Sequence, residues 1–193
     1  PTVNSVGLPE GKFILCVSRM NIADKYKGVD LLIKTMPQVL KEEKDSFLVL
    51  VGRGDAVENL KSLAKGLGVL DRVIFKTAVK DFELPAYYKS CDIFAMPSTK
   101  EGFGIVYLEA MYFSKPNIAI NIGAIPEVVF NGQSGILLES QDINELSRSI
   151  VKLLSDRKYS ETLGITGKRI LEEKFTFSKF VSNIDLLLTE VKS

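Results

Sequence analysis

Short, largely apolar runs of strand length recur along this chain, at Phe13–Val17, Phe47–Val51, Val73–Phe75, Ile93–Met96, Asn117–Ile120 and Gly135–Leu138. Between them the apolar positions open out to the three- and four-residue spacing of amphipathic helices. This predicts helices over Val29–Lys41, Asp55–Lys65, Glu83–Ser90, Ile105–Phe113 and a short Pro126–Phe130. Pro126 suits a first helical turn, where its missing N–H is no loss, whereas Pro37 is expected to kink the first helix. The strand runs do not alternate polar with apolar, as Phe47-Leu48-Val49-Leu50-Val51 shows. Strands covered by helices on both faces need that pattern. The expected fold is therefore α/β: a doubly wound, Rossmann-like sheet of six parallel strands.

Beyond Leu138 the pattern turns wholly helical. Ile143, Leu146, Ile150, Val151 and Leu154 fall on one face, and Phe177, Phe180, Val181, Ile184 and Leu187 on another. Two readings stay open for these extra helices. They cover the sheet edge, or the last of them packs on a second domain outside this sequence. Residues 1–12 read as a linker or N-terminal extension and 13–193 as one domain; a chain that opens on Pro1 suggests a fragment of something longer.

Composition narrows the chemistry. The 193 residues, 46% hydrophobic, suffice for one well-buried core, and 25 lysines and arginines against 24 acidic residues leave no broad basic field for a nucleic acid. Any anion site must be local. With no histidine, the Ser-His-Asp triad, histidine acid catalysis and the common zinc sites are excluded. Cys16 and Cys91 sit in apolar runs without metal-type spacing, which predicts buried reduced thiols and fits a cytoplasmic location. No apolar run approaches the roughly 18 residues of a membrane-spanning helix.

In an open parallel sheet, ligands bind at the carboxyl ends of the strands. Ser18-Arg19-Met20, a polar loop and Lys27-Gly28 follow the first strand, Gly52-Arg53-Gly54-Asp55 the second, and Pro97 to Gly104 the fourth. Gly52-Arg53-Gly54 reads as a tight turn with Asp55 as helix N-cap, because Val57 stands where a dinucleotide fingerprint needs its third glycine. Gly164 to Arg169 fails the phosphate-loop spacing and reads as a helix junction.

The strongest signal is Glu101-Gly102-Phe103-Gly104-Ile105-Val106-Tyr107-Leu108-Glu109. A helix starting near Gly104 would aim the amides of Phe103, Gly104, Ile105 and Val106 at one point, with the positive end of its dipole behind them. Glu109, just over one turn inside, would lean back toward the same place. Two carboxylates beside an anion make sense if they accept hydrogen bonds from neutral hydroxyls. Read alone, Glu101 is only a helix cap and Glu109 only a lysine's partner. With Arg19 and Lys27 across the edge, the ligand acquires a central diphosphate and a hydroxylated ring at each end, the shape of a nucleotide sugar.

At these residues the chain resembles the group 1 glycosyltransferases, retaining enzymes of the two-domain GT-B architecture. The likeness runs from Phe13 to Phe177 and includes Arg19, Lys27-Gly28, Gly52-Arg53-Gly54, Asp92 to Ser98, Glu101 to Glu109 and Pro126-Glu127-Val128-Val129. It implies the C-terminal half of such an enzyme, with an N-terminal acceptor domain in the same protein and peripheral membrane association possible for the whole. By resemblance Arg19 and Lys27 hold the diphosphate, Glu101 faces the donor sugar, Glu109 binds ribose, and the loop near Val79 meets the base. Glu101→Gln should then spare the bare nucleoside diphosphate. Lys25 is an alternative phosphate lysine. Thr77 and Ala124 stand where the family usually has glycine. No cofactor is implied, and the absence of an Asp-x-Asp pair argues against a bound divalent metal. A non-catalytic nucleotide-sugar module and another GT-B enzyme, such as an epimerase, are the alternatives.

Overall fold

The computed structural model describes residues 7–176 and Lys179. β1 (Lys12–Val17) and β2 (Ser46–Val51) pair in parallel along their whole length, from Lys12 opposite Ser46 to Val17 opposite Val51. β3 (Val73–Lys76) joins outside β2. On the other side of β1 stand β4 (Ile93–Met96), β5 (Asn117–Ile120) and β6 (Gly135–Leu138), giving the order β3-β2-β1-β4-β5-β6 with every pairing parallel. The six apolar runs are these six strands. Their interior positions explain why: Ile14, Leu15, Leu48, Ile93 and Phe94 are completely buried, so polar residues on either face would be desolvated without partners.

The connecting helices are α1 (Val29–Glu42), α2 (Val57–Gly66), α3 (Leu84–Ser90), α4 (Ile105–Tyr112) and α5 (Ile125–Val128), followed by α6 (Ile143–Ser155) and α7 (Arg157–Lys174). α1 runs through Pro37 as one helix. Met36 and Val39 on either side of the proline are buried, and the helix is held between α2 and α6, so packing carries it past one lost hydrogen bond. Leu146, Ile150 and Leu154 of α6 are buried as their spacing predicts. Phe177, Phe180, Val181, Ile184 and Leu187 lie outside the described residues.

Local chemistry corrects the sequence reading in three places. Asp55 does not cap α2, which starts two residues later after Ala56; its carboxylate accepts the backbone N–H of Ile22 at 2.7 Å. The polar stretch Ile22–Lys27 is a 3-10 segment rather than open loop. Gly164 and Gly167 lie inside α7, and the helix junction is at Asp156, whose carboxylate accepts from the amide of Tyr159 at 2.9 Å. Those two glycines let α7 approach the chain after α4, at Gly164, and the turn before β6, at Gly167. A Cβ on Gly164 would stand 2.0 Å from the Ser114 carbonyl oxygen, and one on Gly167 3.2 Å from Ser134 Cβ.

The same substitution should therefore have opposite signs in two helices. Gly164→Ala, facing backbone, is expected to cost about 1–3 kcal/mol. Gly66→Ala, at the end of α2 with open space around it, is expected to add about 0.4–1 kcal/mol by restricting the unfolded chain. Urea unfolding of the two variants checks both signs.

Candidate functional site

β1 and β4 are neighbours, yet their following connections run to opposite edges of the sheet, so their carboxyl ends form the topological switch point. The loops that leave them are built to stay close. Gly52 (φ 144°) and Gly54 let the turn after β2 lie against the one after β1, since a Cβ on Gly52 would fall 1.9 Å from the Ser18 carbonyl oxygen and one on Gly54 2.2 Å from Met20 backbone. Met20 N–H donates to the Arg53 carbonyl at 3.0 Å, and Ala56 N–H to that of Met20 at 2.9 Å. The Gly-Arg-Gly signal is thus a brace for the Arg19 loop. On the other side, Thr99 N–H donates to the Tyr26 carbonyl at 2.9 Å, tying the β4 loop to the segment before Lys27.

Between these loops lies a cavity of about 290 Å³. Arg19, Lys27, Glu101 and the residues Phe103 to Val106 border it, over Val17 and Met96 at the strand ends. Gly104 turns the chain at φ 81° so that α4 begins at Ile105. The amides of Ile105 and Val106 in its first turn have no carbonyl one turn behind them. Tyr107 fastens that turn to the sheet, its buried hydroxyl donating to the Met96 carbonyl at 2.6 Å. Burial, followed by the charge of Glu101, holds this hydroxyl's pKa well above the ordinary tyrosine value, so it remains a donor.

The charged side chains are not idle. Lys27 Nζ lies 2.6 Å from Glu101 Oε2, with only 14% and 15% of the two side chains exposed. The predicted cation and the predicted carboxylate neutralise each other, which the sequence reading did not foresee. Arg19 is exposed, but its guanidinium reaches Asp24 at 3.3 Å. Asp24 also accepts from Asn21 Nδ2 at 2.8 Å and from the Tyr26 hydroxyl at 3.0 Å. These hydrogen bonds, with smaller help from Arg19 and Lys27, depress its carboxyl pKa. Lys25 borders a separate cavity of about 270 Å³ with Asp30 and Asn59, and Arg19 borders both.

Glu109 stands in an adjoining groove of about 570 Å³ between α3, α4 and the end of α7, and Ile105 borders groove and cavity alike. Its partner is not a lysine. Tyr88, on α3, donates its hydroxyl to Glu109 Oε2 at 2.6 Å. Gly102 is exposed, and Val79, in the loop after β3, is half-buried against the core; neither borders the cavity. The residues missed by pattern reading are Asp24, Tyr88 and Tyr107. Their only signal was a polar atom on an otherwise buried position. Cys16 and Cys91 are free and buried, and desolvation pushes both thiols up to about 12. Among the described residues no group of three or more Cys, Asp or Glu side chains could hold a metal ion, and no helix is long and apolar enough to cross a membrane.

This parallel fold, with Arg19, Lys27 and the start of α4 gathered at its switch point, defines an α/β Rossmann-like domain. Comparison makes the class specific. The family model described as "Glycosyl transferases group 1" matches residues 4–170, and the chain belongs to that family. It is 33% identical over 169 residues to the GDP-mannose-dependent alpha-(1-6)-phosphatidylinositol monomannoside mannosyltransferase of Mycolicibacterium smegmatis, covering 84% of this chain and 44% of that protein. The chain thus spans about half the length of the curated relatives it matches. The crystal structure of the C-terminal domain of a glycosyl transferase group 1 family protein (LpcC) from Francisella tularensis superposes with TM-score 0.79 at 27% identity, over 90% of this chain and 91% of that one. The Anabaena protein HepE, solved with UDP and glucose, superposes with TM-score 0.84 at 26% identity, over 96% of this chain and 50% of that one. The fold is that of the C-terminal domains of GT-B glycosyltransferases.

A depressed carboxyl pKa fixes the sign of one pH effect. The stabilising contribution of Asp24 is present above its unfolded value of about 4 and is lost as pH falls through the lower folded value. Urea midpoints between pH 5 and pH 2 (about the range of carboxyl titration) should decline less in Asp24→Asn than in the unmodified chain. An identical decline in both would show that Asp24 does not organise the Arg19 loop.

Proposed function

We propose that this chain is the donor-binding half of a retaining glycosyltransferase, which transfers a sugar from a nucleoside-diphosphate sugar to an acceptor hydroxyl. The observation that carries this reading is the gathering of Arg19, Lys27, Glu101 and the start of α4 around one cavity at the switch point. The diphosphate takes Arg19, Lys27 and the amides of Ile105 and Val106; Glu101 meets the donor sugar; Glu109, in the adjoining groove, meets the ribose hydroxyls; and the loop near Val79 meets the base. As the sugar–phosphate bond breaks, negative charge builds on the departing diphosphate. Fixed cations and the helix dipole then stabilise it more than the ground state. This reading needs no metal and no cofactor. The acceptor binds to an N-terminal domain of the same protein and attacks from the leaving-group face, so configuration is retained. The whole protein works in the cytoplasm, with peripheral contact to a membrane where its acceptor is lipid-linked. GDP and UDP are the first nucleotides to test, given the name of the mycobacterial relative and the UDP in the Anabaena neighbour.

The Lys27–Glu101 pair changes what substitution of Glu101 should do. Glu101 draws on the ammonium group that a phosphate needs and sets a second negative charge beside it, which disfavours a bare nucleoside diphosphate, whereas a donor sugar offers Glu101 hydroxyls in exchange. Calorimetry in chelator should show binding of GDP or UDP to the unmodified chain. Arg19→Ala is expected to weaken it by about 1.5–3 kcal/mol with little change in unfolding. Glu101→Gln, far from neutral, should tighten the bare diphosphate by about ten-fold while suppressing transfer by the full-length enzyme. Binding that appears only with magnesium or manganese would overturn the metal-free reading.

A further inference from the structure

We infer that Tyr88 is a positioning residue for Glu109, holding one carboxylate oxygen so that the other is presented to a vicinal diol in the groove between α3 and α4. The inference rests on the nucleotide-sugar reading above and deepens it. Glu109 sits on the surface of α4, and a glutamate there has several freely turning side-chain bonds; orienting it on binding would cost rotamer freedom. Tyr88 has almost none to lose. Its ring is 1% exposed, stacked on Phe113 at 6.0 Å with an interplanar angle of 3° and tilted against Phe94 at 5.7 Å. From that clamp the hydroxyl reaches Glu109 Oε2 at 2.6 Å, the length of a charge-assisted O–H···O⁻ bond.

A buried tyrosine hydroxyl must find an acceptor, and most are satisfied by backbone, as Tyr107 is by the Met96 carbonyl. Tyr88 instead spends its hydrogen on a carboxylate that borders a groove, and it reaches there from a different helix. Oε1 of Glu109 carries no hydrogen bond among those found for the described residues, so it keeps its acceptor capacity. The groove around it is walled by Leu84, Pro85, Ile105 and Leu108, apolar surface suited to a ring edge, with Asp81 and Tyr112 as further polar groups on its border. Burial, and then the bond to Glu109, hold the Tyr88 pKa far above the ordinary value, so the hydroxyl donates at every working pH.

Tyr88→Phe keeps the ring and removes only the hydroxyl. Calorimetry on the chain would compare three probes: the nucleoside diphosphate it binds, the counterpart lacking both ribose hydroxyls, and inorganic pyrophosphate. Tyr88→Phe is expected to weaken the nucleoside diphosphate about five- to ten-fold, to erase most of the preference for ribose hydroxyls, and to leave pyrophosphate unchanged. Equal losses for nucleoside diphosphate and pyrophosphate, or a ribose preference that survives in Tyr88→Phe but not in Glu109→Gln, would overturn the positioning role. Survival of that preference in Glu109→Gln as well would instead remove Glu109 from the ribose, and with it the reading on which this inference stands.

Discussion

β1 and β4 pair side by side although three connections separate them in the chain, and the site depends on that pairing. Ile14 lies opposite Ile93 and Leu15 opposite Phe94. Asp92 secures the near end of β4, its carboxylate accepting Phe13 N–H at 2.8 Å while its own N–H donates to the Phe13 carbonyl at 3.0 Å. With both strands in register, the loops beyond them emerge at one level and from adjacent positions. Were β4 to slip, Tyr107 would lose the Met96 carbonyl and α4 would no longer start over the end of β1. Close packing on both faces opposes such a slip, because each interior side chain would have to fit a new set of neighbours.

Within that frame the charged groups that border the cavity are paired. Lys27 already has Glu101, Arg19 has Asp24, and Glu109 has the Tyr88 hydroxyl. Paired charges at a partly buried edge avoid the cost of desolvating an isolated ion. They also turn ligand binding into an exchange of partners, so affinity reports the difference between two sets of contacts. Arg19 is bound loosely and exposed, Lys27 tightly and mostly buried; the two cations are therefore unequal in what a phosphate must displace.

The aromatic core carries structure to the site. Phe94 of β4 meets Tyr107 of α4 edge-on at 5.6 Å and Tyr88 of α3 at 5.7 Å. Each tyrosine then sends its hydroxyl outward, one to the sheet end and one to Glu109. One buried phenylalanine thus sets the positions of both helices that flank the groove. Gly164 and Gly167 act at the far side in the same sense, letting α7 close over the chain after α4 and over Ser134 before β6.

The sequence alone determined the six strands and their parallel arrangement, because continuous apolar runs and glycine-marked loops are consequences of local spacing and solvent exclusion. It also pointed to Arg19, Lys27, Glu101 and Glu109, as charged groups gathered beyond the carboxyl ends of the strands and in the helix that starts there. Tertiary structure decided who partners whom. Lys27 and Glu101 are 74 positions apart, and Tyr88 and Glu109 are 21 apart. No periodicity encodes such a contact; it arises where two loops meet at the switch point, or where Tyr88 of α3 reaches Glu109 of α4. The same holds for Asp55, where local propensity favoured a helix cap and a longer-range amide at Ile22 took the carboxylate instead.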